Sequence, residues 1–275
     1  MTKSTKYSIV LALDYIKGDK QMTNHLKSKH ILEEKINIGR IPAILIRPKE
    51  GDGLLPTIIH YHGWSSNMEF QRMRGFILSA IGYQVVIPDA IHHGERNPLQ
   101  NYDIEDAREY FWETIFNNLE ESHSIVEEVI SKYNGDPNRI GVIGNSMGGF
   151  TAAGVFTHNP NIKALVVFNG SCGWEDSNKI LREKFNINVD REMVEKIKKY
   201  DPMNNLNLLL DRSILLLHGD SDSLVSIESQ RIFYNKIKPL YKDEEKIKFE
   251  EYPNLNHFVT TNMMEESIAW FHKYL

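Results

Sequence analysis

The chain has 275 residues, 41% of them apolar and 25% charged, the proportions of a globular protein and not of a disordered or fibrous one. Acidic residues (37) outnumber basic ones (32), giving a formal charge of -5, and no Lys/Arg cluster interleaves with aromatics, so nucleic acid is not an expected partner. Cys172 is the only cysteine, which excludes an internal disulfide and a cysteine-built zinc site and fits a reducing compartment.

Residues 1–28 are mixed in composition and accommodate a short helix. The early apolar run at 9–13 is closed by Asp14 and is too short for a signal-peptide core. No later run approaches the roughly 20 residues that cross a bilayer. A cytoplasmic protein with no membrane partner is expected. Over 31–47, β-branched residues on either side of Gly39 and Arg40 suggest a hairpin or two edge strands. Short, uniformly apolar runs follow at 57–61, 83–87, 139–143, 164–168, 214–217 and 246–252. Such runs fit strands of a parallel sheet covered on both faces.

Helical segments separate these runs. Ser66 and Glu69 have the spacing of a capping box before a helix ending near Gly82. Apolar residues recur at helical spacing from 103 to 133, with glutamates on the other face, which predicts one long amphipathic helix. Another helix is expected after Ser226, burying Ile227, Phe233 and Ile237, and a last one carries Ile268, Trp270 and Phe271. Strands alternating with helices imply an α/β fold with right-handed crossovers, and ligands of such sheets sit beyond the carboxyl ends of the strands. With no repeat or linker, residues 1–275 read as one domain. The segment 175–211 exceeds an ordinary connection and is either a small lid insertion or two surface helices.

After the run at 139–143 the chain reads Gly144, Asn145, Ser146, Met147, Gly148, a G-x-S-x-G pattern between strand and helix. Ser146 must sit on a sharp turn, and only neighbours without side chains let strand and helix pass so closely. A serine needs a base, and the base needs an orienting acid. Asp222 lies just after the strand at 214–217, in competition with Asp220 as the acid. His257 follows the strand at 246–252; the one later histidine, His272, belongs to the terminal helix. The expected triad is therefore Ser146, Asp222 and His257. Backbone amides of Trp64, after Gly63, and of Met147 are the expected oxyanion donors. His62 is expected to brace its loop. Trp64, Met147, Trp174 and Phe258 would wall an apolar pocket for a small or medium acyl chain, with Trp174 and Phe258 contacting substrate. His92 and His93 are adjacent and lack a third ligand, so no metal is expected. Arg96 braces that loop or meets a polar substrate group, and Cys172 reads as a small packed residue.

The motif at 144–148, the His62-Gly63 loop, His218-Gly219-x-x-Asp222 and Asn254-x-x-His257 together resemble the α/β-hydrolase superfamily. They are most similar to the esterase branch near dienelactone hydrolases, acetyl esterases and prolyl oligopeptidase catalytic domains. The resemblance covers about 31–275. It implies a mostly parallel eight-stranded sheet, with Ser146 as nucleophile, His257 as base, Asp222 as acid and Trp64 and Met147 as backbone donors. Dienelactone hydrolases carry cysteine where this chain has Ser146, which argues against a lactone substrate. A serine hydrolase acting on a small ester, without metal or organic cofactor, is the expectation. Its rivals are a peptidase or amidase with the same triad, and a non-catalytic binding module of the same fold.

Overall fold

The computed structural model describes residues 25–50, 53–185 and 190–275. The short helix expected near the amino terminus lies outside them, apart from 25–28. Eight strands form one sheet: β1 (Ile31–Ile38), β2 (Ile41–Pro48), β3 (Leu55–Tyr61), β4 (Gln84–Pro88), β5 (Gly135–Asn145), β6 (Ile162–Phe168), β7 (Ser213–Gly219) and β8 (Ile247–Tyr252). Their spatial order is β1-β2-β4-β3-β5-β6-β7-β8. The hairpin β1–β2 and the β2–β4 pair are antiparallel, and every pair from β4 to β8 is parallel. The fold is that of the α/β hydrolases.

Seven helices are described: α1 (Arg72–Ala80), α2 (Ile104–Lys132), α3 (Met147–His158), α4 (Trp174–Phe185), α5 (Arg191–Tyr200), α6 (Glu228–Ile237) and α7 (Thr261–Tyr274). The strands β3, β4, β6 and β7, and β5 over 140–144, are buried on both faces, which is why these sequences run apolar without alternation. One core layer joins the sheet to Ile115, Phe150, Phe156 and Phe233 of α2, α3 and α6. The opposite layer joins it to Leu78 of α1 and to Met263 and Phe271 of α7. Among the described residues no helix is long and apolar enough to cross a membrane.

Several helix starts are held by a side-chain oxygen, local or distant, that reaches the free amides. Asp103 caps α2 locally, accepting from the amides of Glu105 and Asp106 at 3.1 Å each. The capping box expected at Ser66 and Glu69 does not form. Glu69 opens a single 3-10 turn before α1, the Phe70 amide donates to Asn67 Oδ1 at 3.1 Å, and the Ser66 hydroxyl accepts from Gln71 Nε2 at 2.8 Å. Asp89, from the loop after β4, accepts the Met68 amide at 2.8 Å, so the same turn is also held from a distant loop. In the 175–211 segment, Asp201 likewise accepts from the amides of Trp174 and Glu175 at 3.0 and 2.8 Å. It thereby ties the end of α5 to the start of α4.

Candidate active site

β5 ends at Asn145 and α3 begins at Met147, leaving Ser146 alone at the turn with φ 55° and ψ -126°. This conformation is costly for a residue with a side chain and persists only where its surroundings impose it. They do so sterically. A Cβ on Gly144 would lie 2.0 Å from the Gly148 carbonyl oxygen, and one on Gly148 would lie 2.1 Å from the Tyr61 carbonyl oxygen of β3. The Ser146 amide donates to the Phe168 carbonyl of β6 at 3.0 Å, locking the turn to the neighbouring strand.

The loop after β3 passes directly over this turn: a Cβ on Gly63 would come within 3.3 Å of the Ser146 Cβ. His62 fixes that loop. Its Nε2 accepts from the Ala90 amide at 3.1 Å, so Nδ1 carries the proton and donates to the Gly63 carbonyl at 2.9 Å. Burial keeps this imidazole below its ordinary pKa, hence neutral. Holding the Gly63 carbonyl in a planar trans peptide turns the Trp64 N–H to the opposite side. The indole of Trp64 is anchored too, donating from Nε1 to the Tyr102 carbonyl at 3.0 Å and packing edge-on against His93. Among the described residues neither the Trp64 nor the Met147 amide has a hydrogen-bond partner.

Beyond β7 and β8, Asp222 and His257 meet: His257 Nδ1 lies 2.7 Å from Asp222 Oδ2. The competing acid, Asp220, instead accepts the amide of Asn254 at 2.7 Å and the Ser221 hydroxyl at 2.8 Å. The Asp222 side chain is fully buried. Burial by itself would raise its pKa, but hydrogen bonds from His218 and His257, the His257 charge and the Leu224 amide together hold it well below the usual carboxylate range. Among the described residues no hydrogen bond joins His257 to the Ser146 hydroxyl.

Two residues of the site were not singled out from the sequence. His218 Nε2 reaches the same Asp222 oxygen at 3.1 Å and the Val225 carbonyl at 3.0 Å. Asn169, at the end of β6 with φ 44°, accepts the Gly219 amide at 3.0 Å and donates to the Phe258 carbonyl at 2.9 Å. The signal for His218 was its place in the His-Gly-x-x-Asp motif. Asn169 had none, because its partners lie 50 and 89 positions away.

Trp174 departs from expectation. It is 0% exposed, packs against Trp112 and Phe116, and fills the space over Gly154, so it is a core residue and not a pocket wall. Phe258, by contrast, is 67% exposed beside His257. Arg96 is committed to structure: it pairs with both carboxylate oxygens of Glu121 at 2.8 and 2.7 Å and donates to the Asp89 carbonyl at 3.1 Å. His92 turns to Glu113 and His93 to the Ile91 carbonyl, and among the described residues no three His, Cys, Asp or Glu side chains are grouped to hold a metal. Cys172 is buried, which pushes its thiol pKa up and makes it inert.

Comparison with known proteins adds a second line of observation. The family model described as prolyl oligopeptidase family matches residues 116–275, and that for acetyl xylan esterase matches residues 11–170. YitV of Bacillus subtilis (strain 168) is 29% identical over 253 residues, covering 88% of this chain and 98% of its own length. Esterase YjfP of Escherichia coli (strain K12) is 24% identical over 252 residues, covering 88% and 98%. Among solved structures, TT1662 from Thermus thermophilus superposes with a TM-score of 0.73 at 17% identity, covering 88% of this chain and 97% of that one.

Proposed function

We propose, from the premise that the chain belongs to the serine hydrolases of the prolyl oligopeptidase and acetyl xylan esterase families, that it cleaves small carboxylic esters through an acyl-enzyme on Ser146. The observation that carries this reading is the Asp222–His257 hydrogen bond of 2.7 Å, formed between loops that leave the same end of the sheet as the Ser146 turn.

In this mechanism Ser146 Oγ attacks the ester carbonyl while His257 Nε2 takes its proton. Asp222, ionised because two imidazoles and backbone amides stabilise its charge, orients His257 through Nδ1 and stabilises the imidazolium. The Trp64 and Met147 amides, with no other partner among the described residues, receive the developing oxyanion. His257 then returns the proton to the leaving alkoxide, and a water activated by the same imidazole releases the acid. None of these steps calls on a metal or an organic cofactor. Phe258 at the rim offers apolar contact to the substrate, whereas Trp174 is too deep to do so.

Labelling by a fluorophosphonate tests the nucleophile: wild type should be modified and Ser146→Ala should not. Equal labelling of the two would overturn the assignment. The prolyl oligopeptidase match keeps a second reading, an aminoacyl peptidase, in view. Paired esters and amides of one acyl group separate the two, since the esterase reading expects turnover of the ester alone or far faster.

A further inference from the structure

We propose that Asn169 is a positioning residue of this site, its side-chain amide holding the histidine loop in place relative to the turn that carries Ser146. The proposal rests on the hydrolytic reading above and adds to it a residue outside the triad.

The loop that bears His257 is tied heavily to the acid loop. Asn254 N donates to Asp220 Oδ1 at 2.7 Å, Ser221 N to the Leu255 carbonyl at 3.0 Å, and Ser223 N to Asn256 Oδ1 at 2.9 Å. With the Asp222–His257 bond these make the two loops one unit. None of them reaches the part of the sheet from which Ser146 projects. From the histidine loop, among the described residues, one hydrogen bond does so: Asn169 Nδ2 to the carbonyl of Phe258, the residue after His257. The same amide accepts from Gly219 N, at the root of the acid loop, through Oδ1.

Asn169 is itself rigidly placed. It is buried, its amide donates to the Leu217 carbonyl of β7 at 2.9 Å, and the preceding residue, Phe168, accepts the Ser146 amide. One residue therefore connects the serine turn, the acid loop and the histidine loop. The amide orientation is unambiguous, because the Gly219 N–H can only donate and the Phe258 carbonyl can only accept.

Backbone conformation alone does not explain an asparagine here. At φ 44° glycine would be the least costly residue, and asparagine is among the more tolerated alternatives. What asparagine adds is one donor and one acceptor on a short, stiff side chain, the pair that the two loops require. Asn169→Gly removes that pair while leaving the left-handed backbone open, so it separates bridge from turn.

The experiment measures kcat, KM, fluorophosphonate labelling rate and urea midpoint for wild type, Asn169→Gly and Asn169→Asp, with Ser146→Ala alongside. Misplacing the histidine loop by a fraction of an ångström should lower kcat and the labelling rate together by about 10- to 100-fold. KM for an acetate ester should stay within about twofold, while the urea midpoint should fall modestly, because the Gly219 N–H and the Phe258 carbonyl lose their partner. Asn169→Asp keeps the acceptor for Gly219 but sets an oxygen against the Phe258 carbonyl, so it should be impaired at least as much. Wild-type kcat in Asn169→Gly overturns the proposal. So does a kcat loss matched by an equally raised KM for the acetate ester, which marks a general structural role. If Asn169→Gly does not fold, Asn169→Asp, which also tolerates the left-handed backbone, carries the test, and wild-type kcat in it overturns the proposal. Undiminished turnover or labelling in Ser146→Ala would instead sink the hydrolytic reading itself.

Discussion

His218 and His257 converge on one oxygen of Asp222: Nε2 of the first lies 3.1 Å from Oδ2 and Nδ1 of the second lies 2.7 Å from it. The other oxygen, Oδ1, accepts the amides of Leu224 and Val225 at 2.8 and 3.0 Å. A buried carboxylate with four donors is ionised and immobile.

That arrangement makes Asp222 a source of acid sensitivity. Its pKa is lower folded than unfolded, so its contribution to stability is complete above the unfolded value near 4 and is lost as pH falls toward the folded one. Unfolding free energy should drop as pH is lowered below 4, and Asp222→Asn should drop less steeply there. The same variant should lose about 10³- to 10⁴-fold in kcat, since the amide favours the wrong imidazole tautomer. Chemical denaturation across pH and steady-state kinetics check the two halves separately.

Replacing His218 removes a donor from two buried acceptors at once, Asp222 Oδ2 and the Val225 carbonyl. His218→Phe should cost about 1–3 kcal/mol, the penalty of leaving such groups unpaired, read as a lowered urea midpoint. It should lower kcat by less than Asp222→Asn does, because His257 keeps its own bond to the carboxylate.

Gly148→Ala should be among the most damaging single-methyl changes in the chain. The added Cβ would meet the Tyr61 carbonyl at 2.1 Å, backbone against backbone, where neither β3 nor α3 has room to move. A loss of about 3 kcal/mol or more is expected, or failure to fold. Gly53→Ala, where no atom lies within 4 Å of the new methyl, should stay within about 0.5 kcal/mol. Thermal unfolding of both proteins makes the comparison.

Trp174 and Phe258 should separate stability from substrate binding. Trp174→Ala opens a cavity in the core beside Trp112 and should cost about 3–5 kcal/mol, with KM for a small aryl ester unchanged in the folded fraction. Phe258→Ala should leave the melting temperature near wild type and raise KM for longer acyl esters more than for acetate.

What could be read from the sequence was what local chemistry enforces. The turn at Ser146 was legible because two glycines at fixed offsets answer a steric demand that other residues cannot meet. Asp222 and His257 were legible because each follows an apolar run and consecutive parallel strands end on the same side. Asn169 was not, since its role exists only between loops distant in sequence. The Ser66 cap failed for a local reason: Asn67, one residue further on, takes the Phe70 amide, and the Ser66 hydroxyl turns to Gln71. Trp174 was misplaced because its neighbourhood in sequence borders the site while its depth is set by Trp112, Phe116 and Gly154.

Cys172, single and fully enclosed, leaves the exterior of the molecule without a reactive sulfur. A cysteine introduced at an outward position, Phe258→Cys for instance, would then be the sole target of a maleimide dye or spin label. Movement of the segment next to His257 could be followed spectroscopically during turnover, with no native background to subtract.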